Sequence, residues 1–108
     1  MDKRIYQMHA DICCVFSNPK RLEIIDLLRD KERHVNELSM LMDIPQTNLS
    51  QHLSLMRQRG MLDTRRDGVN IYYSLANQKV IKAFDIMREV LFEQLSRNER
   101  LIKKIKGA

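Results

Sequence analysis

The chain has 108 residues, enough for one domain, which typically runs to about 100–150 residues. Hydrophobic residues make up 44% and charged residues 31%, a globular balance that excludes a disordered tail or a collagen-like repeat. Nineteen Lys and Arg against 14 Asp and Glu leave a net charge of +5, which weakly favours a polyanionic partner such as nucleic acid.

The longest apolar run, Ile12–Phe16, is far short of the ~18 residues needed to span a bilayer, so no membrane contact is expected. The opening Met-Asp-Lys-Arg lacks the apolar stretch of a signal peptide. Two adjacent cysteines, Cys13 and Cys14, make no disulfide framework and suit a reducing compartment, so the cytoplasm is the expected location.

In chain order, Ile5, Met8, Ile12, Val15 and Phe16 recur at three- and four-residue steps, which predicts an amphipathic first helix over about 2–16. Ser17-Asn18 and Pro19 form a capping pair and a first-turn proline, opening a second helix over about 19–31. Leu22, Ile24, Ile25, Leu27 and Leu28 surround that helix almost completely, which places it in the middle of the domain. A short third helix over about 35–43 carries Val35, Leu38, Leu41 and Met42, with His34 as a terminal or capping residue. Pro45 separates it from a fourth helix over about 46–59, whose core stripe is Leu49, Leu53 and Met56; Gly60 suits its left-handed end.

The period then changes to two: Val69, Ile71, Tyr73 and Leu75 alternate with Asn70, Tyr72 and Ser74. Leu62–Arg66 supplies the partner strand, and Asp67-Gly68 predicts a type I′ hairpin turn. Asn77 can cap a last helix over about 78–105, striped by Val80, Phe84, Met87, Leu91 and Leu95 and continuing at Ile102 and Ile105. Ile81, Ala83, Ile86, Val90 and Phe92 widen its apolar arc beyond what a small domain covers, so it is expected to pack against a second copy of itself. From Arg97 to Lys106 the basic residues outnumber the single acid, Glu99.

This order, mainly helical with a small β-hairpin wing, is that of a single winged helix-turn-helix domain spanning 1–108. At about 100° per residue, Leu49, Leu53 and Met56 face the core while Thr47, Gln51, Ser54 and Gln58 lie opposite, with Ser50 at the edge. Solvated helix faces are usually rich in Lys and Glu; this one is small, polar and uncharged, the chemistry that reads base edges. Arg57, Arg59, Arg65 and Arg66 surround it where phosphates would lie. Thr47, Ser50, Gln51, Ser54, Arg57, Arg65 and Arg66 are the DNA contacts expected from this spacing.

At this point the chain resembles the ArsR/SmtB transcriptional regulators over about Ile12–Leu91. FSNPKRLEIIDLL is similar to the opening of that family's second helix. NELSMLMDIPQTNLSQHLSLMRQRGMLDTRRDGVNIYYSL is similar to its helix-turn-helix and wing, including Ser50, His52 and Leu53 of an S-x-H-L core. The resemblance implies a homodimer joined by its first and last helices, acting as a repressor on a double-stranded DNA operator and released by an inducer. It also implies that Gln46, Thr47, Ser50 and Gln51 contact DNA, and Asn48 and His52 complete the expected DNA-binding set. His52 lies nearer the core, where packing or a phosphate contact is its role.

Metal-sensing members carry a cysteine pair in a pattern like E-L-C-x-C; here the matching stretch is Glu37-Leu38-Ser39-Met40-Leu41. Others use Asp, His and Glu on the last helix, where this chain has Asp85 and Glu89 but no histidine. Neither zinc nor arsenite is held well by such sets, so no metal or cofactor is expected at either place. Cys13, Cys14 and His9 remain, with His9 and Cys13 four apart on one helical face. They read either as small packing residues or as a thiol sensor for a soft metal, arsenical or oxidant. The inducer itself is left unnamed. A winged-helix protein-interaction module is one alternative, but the polar face and its flanking arginines have little reason to persist there; a regulator without a small-molecule or metal inducer is the other. An enzyme is disfavoured: the sequence has no Gly-rich phosphate loop, no H-E-x-x-H pattern and three His in all.

Overall fold

The first helix, α1 (Arg4–Cys13), follows Asp2, whose carboxylate accepts from the Arg4 backbone N–H at 2.9 Å and pairs with its guanidinium at 2.6 Å. The computed structural model describes residues 1–97 and 99–107, with side chains after Arg97 described for 103–107. None of α1's ten residues is buried. The α-helix stops earlier than its apolar spacing predicts and tightens into a 3-10 turn, Cys14–Ser17. Ser17 Oγ donates to the Cys14 carbonyl at 2.6 Å, and the Arg21 guanidinium donates to the Cys14 and Val15 carbonyls at 2.9 and 3.2 Å. These side chains take carbonyls left without a helical partner, that of Val15 because Pro19 has no N–H to offer it.

Asn18 then caps α2 (Pro19–Leu27), its Oδ1 accepting from the Lys20 and Arg21 amides with Pro19 in the first turn. Ile24, Ile25 and Leu28 are buried and Leu22 and Leu27 half-buried, as an all-round apolar helix demands. α2 ends before the expected residue 31. Arg33 Nε donates to the Leu27 carbonyl at 2.6 Å, and Arg29 turns back to Asp26 and across to Asp85.

A two-residue strand, β1 (Arg33–His34), precedes α3 (Val35–Met42). His34 Nδ1 accepts from the Asn36 N–H at 3.0 Å, the capping role its position suggested. Leu38 and Met42 face the core, while Leu41 is exposed. Asp43 adopts φ 54°, the left-handed end of the helix, and Ser39 Oγ donates to the Ile44 carbonyl at 2.6 Å. Pro45 follows, and α4 (Gln46–Gln58) buries Leu49, Leu53 and Met56. Gly60, at φ +76°, closes α4 and turns the chain into the sheet.

β2 (Leu62–Asp67) and β3 (Asn70–Leu75) pair antiparallel, with Leu62 opposite Leu75 and Asp67 opposite Asn70. The sheet has three strands in the order β1-β3-β2, one more than the sequence predicted; β1 adds Arg33 and His34 opposite Tyr73 and Tyr72. The register makes Gly68 and Val69 the two turn residues. Gly68 has φ +64° and Val69 is not among the positive-φ residues, which is the φ pattern of type II′ and not the I′ turn expected. A β-branched residue resists positive φ, so the turn slid one position to put glycine first.

Asn77 Oδ1 accepts from the Lys79 N–H at 2.9 Å and starts α5 (Lys79–Leu95), which buries Val80, Ile81 and Phe84. Bidentate contacts of 2.8 and 2.9 Å from Arg29 to Asp85 fasten α5 to the end of α2. The single helix expected to reach about 105 is interrupted. α5 ends at Leu95, Ser96 Oγ donates back to the Glu93 carbonyl at 2.6 Å, and α6 (Glu99–Lys106) follows. The predicted continuation of the stripe at Ile102, and the basic Arg100, lie outside the residues whose side chains are described.

Candidate nucleic-acid interface

The polar face predicted for the fourth helix is the exposed face of α4. With Leu49, Leu53 and Met56 anchored in the core, Thr47, Ser50, Gln51, Ser54 and Gln58 turn outward, and all are exposed. Ser50, Gln51, Ser54 and Gln58 line one shallow concavity with Leu55 between them. Asn48 and Arg57 are exposed on the same helix, and Arg57 sits in its last turn, where a cation suits the helix dipole. Gln46, at the N-terminus of α4, donates through Nε2 to Asn36 Oδ1 and so joins α4 to α3.

Beside this face runs a groove of about 400 Å³ between the two helix starts and the wing. His34, Asn36, Gln46 and Ser50 form one side, and Asn70, Ile71 and Tyr73 the other. Asn36 and Asn70 were not read as site residues from the sequence. Their membership depends on β3 folding back beside α3, which no local spacing encodes.

His52 is set apart from this surface. It is half-buried, and desolvation first, then the charges of Arg21 and Lys20, hold its imidazole below the ordinary histidine value. That favours the neutral ring and the packing side of its expected role.

The two wing arginines, treated alike in the sequence, lie on opposite faces of the sheet because side chains alternate along a strand. Arg66 is paired with Ile71, and so shares the face of Ile71 and Tyr73 that borders the groove. It is exposed and has no ion-pair partner among the described residues. Arg65 is paired with Tyr72 on the reverse face, where Glu32 takes its guanidinium at 2.5–3.1 Å and the Tyr72 ring lies 4.6 Å beneath it. Glu32 went unnoticed in the sequence because thirty-odd residues and the whole helix-turn-helix separate it from Arg65.

At the end of α1 the cysteines are free: Cys13 is exposed and Cys14 half-buried. His9 and Cys13 line one groove with Arg59 and Lys79, as their four-residue spacing suggested. Cys14 points elsewhere and donates through Sγ to the Asp11 carbonyl at 3.0 Å. Among the described residues, no group of three or more His, Cys, Asp and Glu is placed to hold a metal ion. Asp85 is engaged by Arg29, which keeps its carboxyl below the ordinary carboxylate range. Among the described residues, no helix is long and apolar enough to cross a membrane.

Residues 18–64, from the α2 cap through α4 into β2, match the family model described as bacterial regulatory protein, arsR family. An uncharacterized HTH-type transcriptional regulator of Mycobacterium tuberculosis, Rv0081, is 30% identical over 104 residues, covering 95% of this chain and 91% of its own. Its crystal structure superimposes with a TM-score of 0.81 over 89% of this chain and 97% of that one. The biofilm growth-associated repressor of Agrobacterium fabrum is 34% identical over 87 residues, 81% of this chain and 74% of its own. A homodimeric winged helix-turn-helix DNA-binding domain from Mycobacterium bovis, a possible ArsR-family regulator, matches at 28% identity. Its TM-score is 0.78, over 88% of this chain and 91% of that domain.

Proposed function

The chain belongs to the arsR family of bacterial regulatory proteins, and on that premise we propose that it is a homodimeric repressor that reads a two-fold DNA operator through α4. The observation that carries this reading is the uncharged amide and hydroxyl face of α4, exposed along Thr47, Gln51, Ser54 and Gln58, with Arg57 and Arg66 at its margins. Amides and hydroxyls give paired donors and acceptors that match base edges, while arginines fix the register on phosphates. Gln46 and Ser50 extend the face into the groove beside the wing. Asn48 and His52 flank it, His52 in a packing role.

Dimerisation is supported by the apolar surface the chain leaves uncovered. Ile5, Met8 and Ile12 on α1 and Ile86, Met87, Val90 and Leu91 on α5 are exposed, Met87 to 62%. So much apolar surface is unusual on a monomer and fits a partner face. The Mycobacterium bovis neighbour is homodimeric, and a two-fold dimer presents two recognition helices to inverted half-sites about one helical turn apart. A regulator of this kind works in the cytoplasm, beside the DNA.

The inducing signal on this reading is thiol chemistry at Cys13 and Cys14. The pair sits where α1 gives way to the 3-10 turn, and Cys13 is open to reagent. Adjacent Cα atoms are ~3.8 Å apart, below the ~4.4–6.8 Å of an ordinary disulfide, so oxidation within the pair must distort the end of α1. The test is a gel shift on the duplex upstream of the protein's own gene, set against random duplex, with reductant, oxidant and arsenite. Stronger retention of the upstream duplex supports the reading, and equal retention of both overturns it.

A further inference from the structure

Arg65 is captured by two residues, Glu32 and Tyr72. Its Nε lies 3.0 and 3.1 Å from the two Glu32 oxygens, its Nη2 is 2.5 Å from Oε1, and its guanidinium carbon is 4.6 Å from the Tyr72 ring centre. Tyr72 is itself braced edge-on by His34 at 5.5 Å. The short strand β1 makes this possible: it pairs His34 with Tyr72 and so delivers Glu32, two residues earlier, to the Arg65 side of the wing.

The pair is a poor stabilising device. The two side chains are 53% and 37% exposed, and ion pairs in such surroundings add little to folding. Its consequence lies in charge. A carboxylate gripping the guanidinium fork occupies the donors a DNA phosphate would take. A cation already neutralised releases no counterions when DNA arrives, and so adds nothing to the sequence-independent part of binding. Arg66, on the face that borders the α4 groove, carries no such partner among the described residues.

We infer that Glu32 is a specificity-determining residue: it neutralises Arg65, so that the wing offers DNA one arginine, Arg66, and affinity for random sequence stays low. Glu32 acts through Arg65 and touches no base. The inference rests on the DNA-binding reading above and adds a division of labour between two neighbouring arginines that their sequence does not distinguish.

The experiment measures binding of a labelled random-sequence duplex, and of the duplex upstream of the gene, as a function of salt. The proteins are wild type, Glu32→Gln, Arg65→Ala and the double variant, with thermal melting to check folding and Glu32→Ala as a second probe of the carboxylate. Glu32→Gln should bind random duplex roughly 3- to 10-fold more tightly, with a salt dependence steeper by about one phosphate contact, and the preference for the upstream duplex should fall. Arg65→Ala combined with Glu32→Gln, which like the wild-type pair carries no net charge, should abolish the gain and bind random duplex within about two-fold of wild type. A gain that survives without Arg65, or no gain at all, overturns the inference. Wild type that binds neither duplex overturns the DNA-binding reading itself; wild type that binds while Glu32→Gln leaves affinity and salt dependence unchanged overturns only the role of Glu32.

Discussion

Arg66 stands directly opposite Ile71 across the hairpin, one register step beyond the Arg65–Tyr72 pair, and that single step puts it on the α4 side of the sheet. Arg66→Ala should therefore weaken binding to upstream and random duplex alike and flatten the salt dependence by about one phosphate contact. Fluorescence anisotropy over a salt series gives both numbers. A loss confined to the upstream duplex would reassign Arg66 to base reading.

Gln51 is exposed at the centre of the α4 polar face, and its amide can pair bidentately with a base edge. Gln51→Ala should cost about 1–3 kcal/mol at the base it reads and leave random-duplex affinity unchanged. Competition binding against single-base variants of the upstream duplex locates that base. If the ratio of specific to random affinity is the same in wild type and variant, Gln51 is not a reading residue.

Leu91 lies 48% exposed on α5 within the uncovered apolar face. Leu91→Glu should turn a dimer into a monomer or unfold it, seen by sedimentation at micromolar concentration and by circular dichroism. By contrast Leu53, 1% exposed, is a core residue, and Leu53→Ala should cost about 2–5 kcal/mol through the cavity it leaves. A wild-type protein that sediments as a folded monomer would refute the dimer.

His52 is held below its ordinary value by desolvation and by Arg21 and Lys20, so the unfolded chain binds its proton more readily than the folded one. Stability from this site then rises with pH between the folded value and about 6.5, is fully present above that, and is lost as pH falls through the window. The melting temperature of wild type should drop between pH 7.5 and 5 more than that of His52→Gln, the difference between the two profiles isolating this one group. Parallel profiles would place the acid sensitivity elsewhere.

Modification of the cysteine pair should weaken operator binding by about 1–3 kcal/mol, the usual size of an allosteric coupling. Wild type and the Cys13→Ser, Cys14→Ser double variant are compared reduced, oxidised and with arsenite. Identical affinities for wild type in all three conditions assign the pair to packing.

Much of the fold was legible because each boundary is set by a local device. Asn18-Pro19, Asn77 and Gly60 mark helix ends in the structure as they do in the sequence, and the period-two alternation of β3 is plain. What failed were places where a side chain beyond the local repeat or a register choice overrode the pattern. Arg21 and Ser17 cut α1 short, Val69 pushed the hairpin turn along by one, and Ser96 ended α5 well before its apolar stripe ran out. The α4 face was readable from helical spacing alone. The unequal wing arginines were not: Glu32 reaches Arg65 only after β1 has found β3, a pairing two residues long that no periodicity announces.

Arg21 belongs to two neighbourhoods at once. Its guanidinium grips the Cys14 and Val15 carbonyls, and its charge is among those that depress His52 on α4. The imidazole is thus a gauge for the far end of α1. Any chemistry at the cysteines that drew Arg21 away would relieve His52 of a neighbouring positive charge and let its titration drift upward. That drift would be readable by proton resonance in the free protein, with no DNA in the tube.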